Sequence, residues 1–261
     1  MLSINLPTVA LEDDLYVDIT QRILRRHNCQ PGDLSLEILE TEEVAPGVDL
    51  LRILHQYKKI GVCLSEDDLG SGYSTLARMH KMPFDAIKID RSLISEVETA
   101  PYNTLCLIYQ LTKLGHSLGK AVIVEGIEST DLLDACSILG VDGAQGYAIA
   151  KPMSSVDLIS WATKPLAWTS NTQSNHLTLL ANILVWEDSW HALDRISEPR
   201  SEERANLAHS LEKIITDKCF PLPDSYAIAK QDLLQSITLS GLRSDHYRQA
   251  RERMVALLNT P

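Results

Sequence analysis

Asp67 and Asp68 stand side by side just after the apolar run Val62-Cys63-Leu64, and Leu69-Gly70-Ser71-Gly72-Tyr73 follows at once. Two adjacent carboxylates at a strand end repel each other unless a cation lies between them, which points to a divalent metal. Gly70 and Gly72 supply the backbone freedom that a loop closing over a ligand needs. The same residues also suit a plain turn, where Asp and Gly are both favoured.

Repetition along the chain favours the site over the turn. Ser3-Ile4-Asn5-Leu6 reads as a short strand carrying Asn5, and Leu34 to Leu39 carries Glu37 and leads into Glu40. Asp85 to Asp90 carries Lys88, and Ala121 to Val124 leads into Glu125-Gly126-Ile127-Glu128. A last run near Gly143-Ala144-Gln145-Gly146-Tyr147 presents Gln145. Helical patterns lie between the runs, as at Leu105, Ile108, Leu111 and Leu114. Strand alternating with helix implies parallel strands whose ends point one way, so their polar residues converge on one face. One such residue alone would read as a strand terminus touching water; a succession of them reads as a site.

The same residues carry a resemblance. Ser3-Ile4-Asn5-Leu6, Leu36-Glu37-Ile38-Leu39-Glu40 and Asp67 to Ser74 occur in the order of the EAL-domain family of cyclic-di-GMP phosphodiesterases. So do Ile87-Lys88-Ile89-Asp90-Arg91-Ser92, Val124 to Glu128, and Ala144-Gln145-Gly146-Tyr147 with Lys151-Pro152. The likeness covers residues 1 to 155. It implies a modified TIM (β/α)8 barrel holding one or two Mg2+ or Mn2+ ions and hydrolysing cyclic-di-GMP to linear pGpG. Carried over position by position, Asn5, Glu37 and Asp67 are metal ligands and Asp68 helps to hold a second ion. Lys88 orients the attacking water and offsets phosphate charge, and Glu125 is the candidate base or water ligand. Glu128 and Gln145 line the site, and Glu40 tethers the loop that includes Gly70, Ser71 and Gly72. Hard oxygen donors suit these ions, and a paired site can stabilise both attacking and leaving oxygens.

The chain also departs from the family. No Glu-Ala-Leu stretch precedes Asn5, and six strand-like runs stand where a barrel needs eight. An incomplete barrel has unpaired edges. The expectation is therefore a truncated form of a longer protein, with a second chain or segment filling the gap as the alternative. Leu39 replaces a threonine and Leu69 a phenylalanine. Glu66 replaces an apolar residue, and inside the barrel its charge would be costly unless paired.

Composition fits a globular chain: 261 residues, 44% hydrophobic. A net charge of −11 argues against general nucleic-acid affinity. The five cysteines (Cys29, Cys63, Cys106, Cys136, Cys219) show no CxxC spacing, and three fall in apolar surroundings, as expected of reduced thiols in the cytoplasm. No signal peptide and no membrane-spanning stretch is seen.

The expected division is a barrel over 1–160, a linker over 161–175 and a small all-α bundle over 176–261, regulatory or dimerising. Leu177, Leu180, Ile183 and Leu184 mark one helix, and Leu207, Leu211, Ile214 and Ile215 a second. Two more cover Tyr226 to Leu239 and Asp245 to Leu258. His176, His191, Cys219 and His246 would form a zinc site if they met in space, although scattered histidines more often have no ligand duty. Two functions follow: a metal-dependent cyclic-di-GMP phosphodiesterase, expected to be weak or inactive in this chain as it stands, or a degenerate module that binds cyclic-di-GMP or a protein partner without cleavage. A homodimer is compatible with either.

Overall fold

The computed structural model describes residues 1–7, 9–39, 49–70, 76–163, 175–194, 201–216 and 225–259. Strands β1 (Leu2–Asn5), β2 (Leu34–Leu39), β3 (Cys63–Leu69), β4 (Ala86–Ile89), β5 (Ala121–Val124) and β6 (Gly143–Ala144) form one sheet in sequential order. Every neighbouring pair is parallel. Each return path carries helix: α1 (Val9–Glu12) and α2 (Leu15–Arg26), α3 (Leu50–Lys59), α4 (Leu76–Lys81), α5 (Arg91–Ile94) and α6 (Pro101–Ser117), then α7 (Thr130–Ile138). Parallel pairing demands such crossovers. The architecture is part of a TIM-type barrel, with β1 and β6 at the sheet edges, followed by helices.

Side chains alternate across each strand and give the sheet two unlike faces. Leu36, Ile38 and Leu64 pack with Ile53, Leu54 and Tyr57 of α3 in one apolar cluster. Burying each of these side chains contributes roughly 1.5–3 kcal/mol. The opposite register positions carry Ser35, Glu37, Ser65, Asp67 and Lys88, so one face gathers most of the polar side chains; Ser35 and Ser65 hydrogen-bond across it at 3.3 Å. Glu66 alternates with Asp67 and therefore shares the helix-facing side with Leu64, away from the barrel interior. Its charge is paired there: Arg78 Nε donates to Glu66 Oε1 at 2.6 Å.

The chain divides into two compact units. The first comprises Met1–Ile94, Gln110–Gly126 and Val141–Gln145; the second comprises Ser95–Tyr109, Ile127–Gly140 and Gly146–Pro261. The second unit contains α8 (Ser155–Ala162), α9 (His176–Asp194), α10 (Ser201–Thr216), α11 (Ser225–Ser240) and α12 (Asp245–Leu258). Helix α9 is apolar around its whole girth, with Leu177, Leu179, Leu180, Ala181, Ile183, Leu184 and Trp186 all buried. Such a helix must be central. It packs against α7, α10 and α12. The carboxylate of Glu187 accepts from Tyr247 Oη at 2.7 Å and from Arg251 Nε and Nη2 at 2.5 and 2.9 Å. The same guanidinium lies 4.7 Å from the centroid of the Tyr102 ring. Among the described residues no helix is long and apolar enough to cross a membrane.

Candidate functional site

Parallel register brings distant acids to one end of the sheet. Asn5 lies opposite Glu37, and Leu39 opposite Asp67. Lys88 rises between them from β4, and Glu125 follows β5 directly, its backbone N–H bonded to the Ile89 carbonyl at 3.0 Å. The Lys88 ammonium stands 2.9 Å from Glu37 Oε1 and 2.9 Å from Asp67 Oδ1, and it also contacts Glu125 Oε1. Only 5% of the Lys88 side chain is exposed, so these attractions are little screened. Ser3 Oγ donates to Glu37 Oε1 at 2.5 Å and fixes that carboxylate from the β1 side.

Asp67 and Asp68 would point to opposite faces of a regular strand. They do not, because the β3–β4 register shifts between Glu66 and Leu69, and Asp68 adopts φ +60°. That conformation costs a non-glycine residue on the order of 1–3 kcal/mol and persists only where its surroundings enforce it. The result is functional geometry: one oxygen each from Asp67, Asp68 and Glu125 lies within 4.8 Å of the others. Three hard oxygen donors at that spacing fit a divalent cation. Gly70 then turns the chain at φ +102°, and a Cβ there would meet Leu93 Cδ1 at 2.4 Å. Gly126, just after Glu125, is likewise obligatory: its φ is +72°, and a Cβ would lie 2.5 Å from Arg91 Cγ.

Burial works against the charge on Lys88, but hydrogen bonds to Glu125, Glu37 and Asp67 hold its ammonium more firmly protonated than a free lysine. Burial pushes the Glu125 carboxyl above the usual range, and the Lys88 hydrogen bond pulls it back. In such a cluster the cation can orient an oxygen nucleophile, and a neighbouring carboxylate can accept a proton from it.

The remaining candidates fall into place unevenly. Asn5 is exposed on β1 beside Glu37. Gln145 is exposed just past β6, its backbone N–H bonded to the Val124 carbonyl at 2.9 Å. Glu128 is exposed and belongs to the second compact unit. Glu40, Ser71 and Gly72 lie outside the described residues. The zinc expectation does not hold for His176 and His191: they stand near opposite ends of α9, roughly 22 Å apart at 1.5 Å per residue. His246 pairs with Asp232 at 3.4 Å, and Cys219 lies outside the described residues. Among the described residues the sole three-member group spaced for a metal is Asp67, Asp68 and Glu125. Among the described residues Cys29, Cys63, Cys106 and Cys136 are free thiols, and burial pushes Cys136 up to about 12. Sequence reasoning passed over Ser3, although its place two residues before Asn5 on the same strand face was a usable signal.

Comparison with known proteins places the chain in a family. The cyclic di-GMP phosphodiesterase RocR of Pseudomonas aeruginosa is 34% identical over 131 residues, covering 50% of this chain and 33% of RocR. The PaMucR phosphodiesterase in complex with c-di-GMP superposes with TM-score 0.54 at 29% identity, over 60% of this chain and 63% of that one. Klebsiella pneumoniae BlrP1, solved with manganese and cy-diGMP, gives TM-score 0.51 at 26% identity, over 58% and 39%. The chain spans a third or less of the length of curated relatives such as RocR, of which it covers 33%. The family model for the EAL domain matches residues 1–152, and on that match the chain belongs to the EAL domain family.

Proposed function

We propose that this chain is a metal-dependent cyclic-di-GMP phosphodiesterase that yields pGpG. The observation that carries the reading is the cluster of Glu37, Asp67, Asp68 and Glu125 about the buried ammonium of Lys88. Asp67, Asp68 and Glu125 would hold a first divalent ion, Mg2+ or Mn2+, with Glu37 and Asn5 beside them. When bound, that ion supplies Lewis acidity and lowers the pKa of its water.

The chain's own residues do the rest. Glu125 accepts the proton of the attacking water at a carboxylate oxygen. Lys88 Nζ orients the attacking water and offsets charge on the phosphoryl oxygens. The water oxygen bonds to phosphorus, one P–O ester bond breaks, and the departing ribose oxygen takes up a proton. Gln145 would contact the dinucleotide. The absence of a membrane-spanning helix among the described residues is compatible with work in the cytoplasm.

The test is chromatography of cyclic-di-GMP incubated with the purified chain and Mn2+. Slow production of pGpG is expected of the chain as it stands, and Glu125→Ala should lower that rate about 10²–10⁴-fold with the fold intact. Calorimetric binding of cyclic-di-GMP with no product would replace the enzyme by a non-catalytic binding module.

A further inference from the structure

The Glu66–Arg78 pair takes no part in the mechanism above, yet it lies directly beneath it. Glu66 is fully buried (0% exposed) and precedes Asp67 in the chain. The guanidinium that pairs with it makes more than one attachment. Arg78 Nε reaches Glu66 Oε1 at 2.6 Å, and Nη2 donates to the carbonyl of Leu39, the last residue of β2, at 3.4 Å. Its Cζ stands 6.0 Å from the centroid of Phe84. Lys120 adds a second positive charge near Glu66, its Nζ fixed by the carbonyls of Met82 at 3.1 Å and Phe84 at 2.8 Å.

Each attachment bears on the metal ligands. Leu39 is the register partner of Asp67, and Glu66 marks the point where the β3–β4 register begins to shift. That shift is what lets Asp68 turn to φ +60° and join Asp67. Arg78 itself belongs to α4. One planar fork therefore ties the ends of β2 and β3 to α4, around a strained residue that relaxes unless it is held.

We propose that Arg78, acting through Glu66 and the Leu39 carbonyl, is a positioning residue that keeps the Asp68 carboxylate beside Asp67 and Glu125. An apolar residue at position 66 would fill the space without directing the guanidinium. A lysine at 78 would match the charge but lacks the fork that meets two acceptors at once. The inference rests on the phosphodiesterase reading for its activity arm only.

Calorimetric titration of Mn2+ into the full chain is the primary test. In the double variant Glu66→Met with Arg78→Met, both charges of the pair leave together while Lys120 keeps Asp85 and its two carbonyl acceptors, so the thermal midpoint stays near that of the wild type. Its Mn2+ affinity is expected to fall about tenfold, as for other residues that orient metal ligands. Turnover of cyclic-di-GMP should fall in kcat with KM little changed. Arg78→Lys should weaken Mn2+ in the same direction and decides the matter if the double variant does not fold. An unchanged Mn2+ affinity in either folded variant overturns the proposal. A wild-type chain that binds Mn2+ but yields no pGpG strikes the phosphodiesterase reading alone; one that binds no Mn2+ overturns both.

Discussion

Two buried clusters in this chain use the same charged groups to opposite ends. In the second unit, Glu187 meets one guanidinium and one hydroxyl, and the account closes: one negative charge against one positive, with Tyr247 completing the shell. In the first unit, Glu37, Asp67 and Glu125 all meet the same ammonium of Lys88, three acids on one cation, and an oxygen of Asp68 lies within 4.8 Å of oxygens of Asp67 and Glu125. Folding alone gives no reason to gather such an excess, because buried like charges repel strongly where water does not screen them. A balanced pair reads as architecture, and an unbalanced one as a place that awaits a cation.

Breaking the balanced cluster should have the larger effect on stability. Arg251→Met strands Glu187, whose side chain is 8% exposed, and should lower the unfolding free energy by about 3–5 kcal/mol in a urea titration. Adding Glu187→Met should recover most of that loss. An unshifted urea midpoint in the single variant would show that the pair does not hold α9 to α12. For the unbalanced cluster the sign reverses. Lys88→Met removes the ammonium that Glu37, Asp67 and Glu125 share and should tighten Mn2+ by about tenfold in calorimetry, while turnover falls. Weaker Mn2+ binding would mean that Lys88 gathers the carboxylates for the ion and does not oppose it.

The smallest effect concerns an exposed pair in the first unit. Burial raises the Asp142 carboxyl, but the His116 ring at 2.7 Å and the Val122 N–H at 2.7 Å more than reverse this and hold it below its ordinary value. A carboxylate depressed in the folded state adds stability that is present above its unfolded pKa and lost as pH falls through the folded value. Asp142→Asn should therefore flatten the acid limb of the Tm profile below the ordinary aspartate pKa of about 4. A limb as steep as that of the wild type would show that Asp142 contributes nothing to acid sensitivity.

The parallel sheet and most of its polar rim were legible because apolar runs ending in Asn5, Glu37, Asp67, Lys88 and Glu125 alternate with helical periods. What escaped was set by geometry that no local pattern encodes. The face taken by Glu66 depends on the strand phase, and the same-side placement of Asp67 and Asp68 on a register shift. Glu187 was in principle readable, since it continues the stripe of Leu180, Ile183 and Leu184 by one more turn. Its partner Arg251 lies 64 positions away, beyond the reach of periodicity. The zinc expectation failed for a simple reason: residues at the two ends of one rigid helix cannot converge.

Asp68 carries an evolutionary consequence. Its left-handed backbone would suit glycine better, so the carboxylate is retained against a steady pull toward easier folding. A lineage released from hydrolysis would gain thermodynamically by surrendering it. Decay of the activity should therefore leave its earliest scar at this position, before the better-tolerated acids on neighbouring strands begin to drift.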